Sequence, residues 1–271
     1  MAHTALCQVT WAGAAVEIEH QWLSARTAGR PLIVFLHEGL GSVSMWRDYP
    51  AQLCGALDWN GLVYSRPGYG RSTPRPRHQP WFPDYMHRQA NEMLPALLEV
   101  LEVRHRYNGV WLFGHSDGGS IALIHAAHHQ GTVQGVVAVA PHVMVENISV
   151  ASIRQARDAY LHGNLKARLA RHHTDPDSAF WGWNGVWLSP EFRDWSIEDL
   201  LPRISCPVLA VQGRDDEYGT LTQLERLTQL SPHAITRVIS NCGHSPHREQ
   251  PNELTCATME FVAGLNLQST A

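Results

Sequence analysis

Several things are scarce in this 271-residue chain, and each scarcity excludes something. Charged residues make up only 17% of it. The formal net charge is −4, so a strongly basic nucleic-acid binder is not expected. Lysine is almost absent: Lys166 is the single one among 21 basic residues, the rest being arginine. Cysteine is sparse and odd in number (Cys7, Cys54, Cys206, Cys242, Cys256), with no CxxC pair. That excludes a zinc ribbon and a thioredoxin-like motif, and a disulfide framework is not expected. No apolar run approaches the ~18–20 residues that span a membrane. The N-terminus has no basic region followed by an apolar one, because Glu17 and Glu19 interrupt it. Internal repeats and low-complexity tracts are missing too. The expectation is a cytoplasmic protein with a small-molecule substrate and neither nucleic-acid nor membrane partner; homo-oligomerisation stays open.

What is present is a core-forming pattern. Hydrophobic residues are 44% of the chain, enough at this length for a large α/β domain. The run Leu32-Ile33-Val34-Phe35-Leu36 is continuously apolar, as in a strand buried on both faces of a parallel sheet. Similar runs occur at 61–64, 109–113, 133–140 and 207–212. Helix-length segments separate several of them. The longest, 84–103, carries Met86, Met93, Leu94, Leu97, Leu98 and Leu101 at helical spacing, with Pro95 as a kink point. Strands alternating with helices predict an α/β fold with a mostly parallel sheet and helices on both faces. Residues 8–11 and 16–20 read as an antiparallel hairpin around Gly13.

The alternation breaks between His142 and Ile204. Helical patterns there (151–161 and 166–172) lead into an aromatic cluster of Phe180, Trp181, Trp183, Trp187, Phe192 and Trp195. Residues 142–203 are therefore expected to form an inserted helical lid. It would cover the carboxyl edge of a core built from 1–141 and 204–271, which is where open α/β sheets bind ligands.

The chemistry-bearing signal is Gly114-His115-Ser116-Asp117-Gly118-Gly119, which matches G-x-S-x-G. It follows an apolar strand and precedes a helical run. A nucleophile on a tight strand-to-helix turn needs minimal side chains two residues to either side, because the backbone folds back there. The helix N-terminus and the Asp117 N–H would then face a developing oxyanion.

With these residues the chain resembles the α/β-hydrolase fold superfamily over nearly its whole length, least in the lid. The resemblance implies an order of nucleophile, acid, base. After the run Val208-Leu209-Ala210-Val211-Gln212-Gly213-Arg214 stand Asp215 and Asp216, and the family's spacing from the glycine favours Asp216. Glu146 is a more remote acid. Asn241-Cys242-Gly243-His244-Ser245-Pro246 resembles the family's base loop and selects His244 among 17 histidines. The stretch His37-Glu38-Gly39-Leu40-Gly41 stands where the oxyanion loop is expected. The first donor would be the Gly39 N–H, with Leu40 as the other choice, and the second the Asp117 N–H. Glu38 departs from the usual glycine there, and a structural role is favoured over substrate contact. Ser65-Arg66-Pro67-Gly68-Tyr69-Gly70-Arg71-Ser72 resembles a family turn. No nucleotide loop matches, and no cofactor or metal is implied. The adjacent pairs His128-His129 and His172-His173 point apart and are expected to be solvated, while His115 reads as structural and His247 as a solvated loop residue.

The expected activity is hydrolysis of a small, largely apolar carboxylic ester through an acyl-enzyme on Ser116. Pocket candidates are Glu38, Leu40, Trp181, Trp183 and Trp187. Rivals are carbon–carbon bond hydrolysis of a dienoic ring-cleavage product (Trp46, nine residues after His37, matches some such enzymes), cofactor-free oxygenation or perhydrolysis, and a small-molecule receptor retaining the triad.

Overall fold

The computed structural model describes residues 4–76 and 79–268. In chain order the elements are β1 (Thr4–Trp11), β2 (Ala14–Leu23), β3 (Leu32–Leu36), α1 (Tyr49–Leu57), β4 (Asn60–Tyr64), α2 (Tyr85–Arg88), α3 (Leu94–Val100), α4 (Val103–Arg106), β5 (Val110–His115), α5 (Asp117–His128) and β6 (Gly135–Val139). Then come α6 (Asn147–His162), α7 (Leu165–Leu169), α8 (Pro176–Trp187), β7 (Val208–Gly213), α9 (Thr222–Leu230), β8 (Ala234–Ile239), α10 (Pro246–Glu249) and α11 (Pro251–Gln268).

The eight strands form one sheet in the order β1-β2-β4-β3-β5-β6-β7-β8. β3 to β8 are parallel; β2 alone runs against them, and β1, antiparallel to β2, points the same way as the rest. The hairpin turns through Ala12 and Gly13, both at positive φ, as a two-residue type I′ turn requires. Strands β3, β5, β6 and β7 are buried along their whole length, which is why they read as unbroken apolar runs. Two apolar layers result, one on each face. Leu32, Val34 and Leu36 point into one, and Ile33 and Phe35 into the other.

From β3 the chain winds outward to β4, then returns to place β5 on the other side of β3. The winding direction thus reverses between β3 and β5. Loops leaving their carboxyl ends diverge and open a crevice. Gly39 and Ser116 follow those two ends.

Two local features differ from the sequence reading. The 84–103 helix is broken: a π-helical stretch (Gln89–Met93) joins α2 to α3 immediately before Pro95. Proline offers no N–H to the preceding turn, and a widened turn accommodates its ring. Strand β8 was not legible, because Ile235, Thr236 and Arg237 are exposed at the sheet edge and show no apolar run. Between β6 and β7 no strand joins the sheet, and this stretch holds α6, α7 and α8.

The glycines of the 114–119 turn are required by backbone approach. A Cβ on Gly114 would overlap the Gly118 carbonyl, and one on Gly118 would overlap the carbonyl oxygen of Leu36 at the end of β3. Gly118→Ala should therefore cost about 3 kcal/mol or more. Gly55, in the middle of α1 with open space around it, should gain about 0.5–1 kcal/mol on becoming alanine. Thermal unfolding of both variants checks the contrast; equal melting temperatures would refute it.

Candidate active site

Ser116 sits between β5 and α5 with φ +54° and ψ −121°, a conformation L-residues rarely adopt. Its N–H donates to the Val139 carbonyl at 2.8 Å, and its carbonyl accepts from Ser120 N–H at 3.0 Å. The turn is thus held from both sides. The side chain projects off the sheet into a cavity of about 510 Å³.

His244 arrives from the loop after β8. Its Nε2 lies 2.9 Å from Ser116 Oγ, and its Nδ1 lies 2.8 Å from Asp216 Oδ1. With Nδ1–H donating to the carboxylate, Nε2 is the acceptor for the serine hydroxyl. Of the two candidate acids, the structure brings only Asp216 to the histidine. Asp216 is buried and also accepts from the N–H groups of Tyr218 and Gly219 and from Gln212 Nε2. Asp215 is exposed, and its N–H donates to the Cys242 carbonyl of the loop after β8. Glu146 is engaged elsewhere, with Thr220 and Gln223. Burial alone would lower His244, but the Asp216 hydrogen bond and charge, with Glu38 and Glu217 behind, hold it above the ordinary imidazole value. For Asp216 burial pulls upward and is outweighed by His244, leaving the carboxyl below its usual range.

The N–H groups of Gly39 and Asp117 belong to residues lining the cavity, and neither has a protein acceptor among the described residues. The Leu40 N–H is likewise unpaired, so it keeps its standing as the other choice. Gly39 must be glycine because a Cβ there would overlap the pyrrole edge of Trp183.

Glu38 occupies a defined place. Its Oε2 lies 3.1 Å from His115 Nδ1, and its Oε1 accepts from Arg248 at 3.1 Å. His115 Nε2–H in turn donates to the His244 carbonyl at 2.7 Å. The pair ties the Gly39 loop to the His244 loop. Burial would raise Glu38, but the His115 hydrogen bond and the Arg248 charge outweigh it and keep the carboxyl well below its ordinary value. Its charge is committed to these partners, although Glu38 still borders the cavity.

Sequence reasoning missed Arg66. It is 1% exposed, donates from Nη2 to the Glu38 carbonyl at 2.8 Å and from its backbone N–H to His37 Nε2 at 3.0 Å, and lies 3.9 Å from Asp117 Oδ2. Asp117 is itself buried, accepting from Tyr85 Oη at 2.6 Å and Trp187 Nε1 at 3.3 Å. The turn that resembled a fold marker therefore carries the cation that holds the Gly39 loop. Also missed were Tyr218, whose ring packs 4.7 Å from that of His244, and the buried His142, which burial pushes down to about 3 and which borders the cavity. Neither belongs to a sequence motif.

Four expectations need correction. Trp181 does not border the cavity; it packs on Tyr160 and Phe180 beneath Arg157, while Trp183 and Trp187 do border it. The lining is more polar than the expectation of a largely apolar ester called for, since Arg47, Arg168, Arg171 and Arg248 share it. His173 is buried rather than solvated: it accepts from Gly70 N–H at 2.9 Å and donates to the Leu40 carbonyl at 3.0 Å. His247 is buried against Trp46 instead of standing in solvent. No described helix is long and apolar enough to cross a membrane, and no group of three or more metal-ligating side chains occurs among the described residues.

Comparison with known proteins adds the following. A model described as "Alpha/beta hydrolase family" matches residues 33–258. A Yersinia pseudotuberculosis 2-succinyl-6-hydroxy-2,4-cyclohexadiene-1-carboxylate synthase is 36% identical, with 86% of this chain and 88% of the relative covered. Among solved structures, a thermophilic esterase from Thermogutta terrifontis superposes with a TM-score of 0.74 at 19% identity, covering 97% of this chain and 99% of that one. A meta-cleavage product hydrolase from Pseudomonas fluorescens superposes with a TM-score of 0.71 at 17% identity, covering 96% and 98%.

The raised His244 sets the sign of a pH effect. Its imidazole must be neutral to accept a proton, so kcat/KM should rise with pH along a limb centred above the ordinary imidazole value of about 6.5. Asp216→Asn should move that limb down, and further than Glu38→Gln does, because Asp216 contributes more to the shift. A pH–rate profile of the three proteins decides it; a limb that stays in place in Asp216→Asn would sink the assignment.

Proposed function

Because the chain belongs to the alpha/beta hydrolase family, we propose that it is a serine hydrolase cleaving a carboxylic ester through an acyl-enzyme. The observation that carries this reading is the continuous hydrogen-bonded chain Ser116–His244–Asp216 opening into the cavity beside two unpaired backbone N–H groups. Ser116 Oγ attacks the acyl carbon while His244 Nε2 takes its proton. Asp216 holds the ring in the required tautomer and stabilises the imidazolium. The N–H groups of Gly39 and Asp117 receive the oxyanion; the helix N-terminus of α5 adds its dipole at the same point. His244 then protonates the leaving alcohol. Water, activated by the same imidazole, releases the acid. Residues 142–203 act as the lid: α6, α7 and α8 supply Ile153, Leu165, Trp183 and Trp187 to the cavity. These side chains give the acyl group apolar surroundings next to Ser116.

A second reading has its own support. The relatives at 36% identity are named as synthases of a succinyl-hydroxycyclohexadiene carboxylate, and a structural neighbour is a meta-cleavage product hydrolase. On that reading His244 and Ser116 would move a proton on a carbon acid or cleave a carbon–carbon bond. Trapping separates the two: ester hydrolysis passes through a covalent acyl-Ser116.

Ser116→Ala should lower kcat on the best aryl ester by about 10⁶-fold with the fold intact. A fluorophosphonate should label wild type at Ser116 and leave the variant unlabelled. Retention of a tenth of the wild-type rate would refute the nucleophile. Asp216→Asn should cost about 10⁴-fold and Asp215→Asn no more than a few-fold. The reverse ranking, in folded proteins, would move the acid role to Asp215.

Trp183→Ala should lower kcat/KM for a well-filling acyl chain, relative to acetate, by about 10-fold or more. Trp181→Ala should instead lower the melting temperature and leave the long-to-short ratio alone. Equal ratios in both variants would show that Trp183 serves packing only.

A further inference from the structure

We propose that the solvent side of the cavity is an oxyanion-binding subsite in which Arg47, Arg168 and Arg171 take a carboxylate or phosphate carried by the substrate away from its scissile bond. The proposal rests on the hydrolase reading for its link to turnover, but the subsite is argued from the charges alone.

The chain as a whole is acidic, at −4, yet the cavity lining holds more arginines than carboxylates. Four border it: Arg47, Arg168, Arg171 and Arg248. The acids that share the lining are largely spent. Glu38 pairs with Arg248 and His115, and Asp117 is buried against Tyr85, Trp187 and Arg66. Glu217 is the remaining carboxylate, and it accepts from the His244 backbone N–H. Arg47, Arg168 and Arg171 have no carboxylate within ion-pair distance among the described residues, and all three are exposed. Three unpaired guanidinium groups around one opening repel one another, and a bound oxyanion relieves that repulsion. Each offers a planar fork of N–H donors matched to carboxylate or phosphate oxygens.

The arginines come from opposite sides of the opening, and the two sides are fastened together. Arg47 follows the Gly39 loop on the core; Arg168 lies in α7 and Arg171 in the turn after it. His172 Nδ1 meets Ser44 Oγ at 2.9 Å, three residues from Arg47. His173 Nε2–H donates to the Leu40 carbonyl, one residue from Gly39. The histidine pair next to Arg171 thus clips the turn onto the loop that carries the Gly39 donor. Proximity of the charges shows in His172, which burial lowers and the charges of Arg171, Arg248 and Arg47 lower further. A net positive opening with low-dielectric walls also concentrates anions from solution.

The test compares two esters of equal acyl length, 4-nitrophenyl butyrate and 4-nitrophenyl hemisuccinate, which differ in one carboxylate. Wild type should favour the hemisuccinate by about 10-fold or more in kcat/KM, mainly through KM, and the preference should shrink in 0.5 M salt. Arg168→Ala/Arg171→Ala should reduce the hemisuccinate-to-butyrate ratio by about 10-fold, and Arg47→Ala should reduce it as well. Arg104→Ala, an exposed arginine away from the cavity, serves as the control and should leave the ratio where it is. A wild-type ratio near one, or one unmoved by the double variant, overturns the subsite while leaving the hydrolase reading standing. If neither ester turns over and fluorophosphonate does not label Ser116, the hydrolase reading fails instead. Calorimetry with succinate and with inorganic phosphate on wild type and the double variant then decides the subsite by itself and tells the two oxyanions apart. Binding of at least one, lost in the double variant, supports it; binding of neither, or binding that survives the double variant, overturns it.

Discussion

Everything at this site depends on one close approach of backbone to backbone. After β5 the chain turns so sharply into α5 that Gly118 comes against the carbonyl of Leu36 and Gly114 against that of Gly118. No side chain fits in either gap. Ser116 stands at the apex with positive φ, so its hydroxyl leaves the sheet rather than packing into it. The α5 N-terminus and the end of β3 are brought together by the same contact. The N–H groups of Gly39 and Asp117 are therefore positioned by the same constraint that sets Ser116 at the apex. A strained residue of this kind persists only where its surroundings over-determine it, and here the bonds to Val139 and Ser120 do so.

The loops around that apex are held by buried charge rather than by apolar packing. Arg66 and Asp117, both nearly inaccessible, lie beneath the Gly39 loop, and Glu38 with His115 joins that loop to the one carrying His244. Breaking one member of such a set leaves its partner buried and uncompensated, which costs more than the pair contributes. The arrangement favours rigidity: loops without regular structure must hold donors to within a fraction of an ångström. A similar approach occurs on the acid side, where a Cβ on Gly213 would overlap the carbonyls of Cys242 and Gly243. The end of β7 and the base loop are thus seated directly on one another.

The stretch between β6 and β7 gives the cavity a graded character. Trp183 and Trp187 are buried beside Gly39 and Asp117, whereas the arginines of α7 and its following turn stand in solvent. The lining beside Ser116 is indole, and toward solvent it is guanidinium. This grading could not be read from composition, because Arg47 lies far in the chain from Arg168 and Arg171 and meets them only in the fold.

What was legible in the chain followed from short-range rules. Apolar runs marked the strands buried on both faces, the G-x-S-x-G spacing marked the turn, and the order of serine, acid and histidine followed from the resemblance that turn revealed. Each of these is written within a few consecutive residues or in their order. The tertiary structure decided what depends on residues far apart in the chain. Asp216 rather than Asp215 meets His244, because the turn after β7 buries one carboxylate and exposes its neighbour. Edge strand β8 owes its existence to pairing with β7, since its own side chains are half in water. Arg66, Glu38 and His173 took their roles from partners 28 to 210 residues away, and Trp181 lost its expected one because helix α8 turns it toward Tyr160. A sequence states the period of its side chains and the chemistry of its turns; which side chain meets which across the fold is settled only when the sheet, the crossovers and the helices between β6 and β7 close on one another.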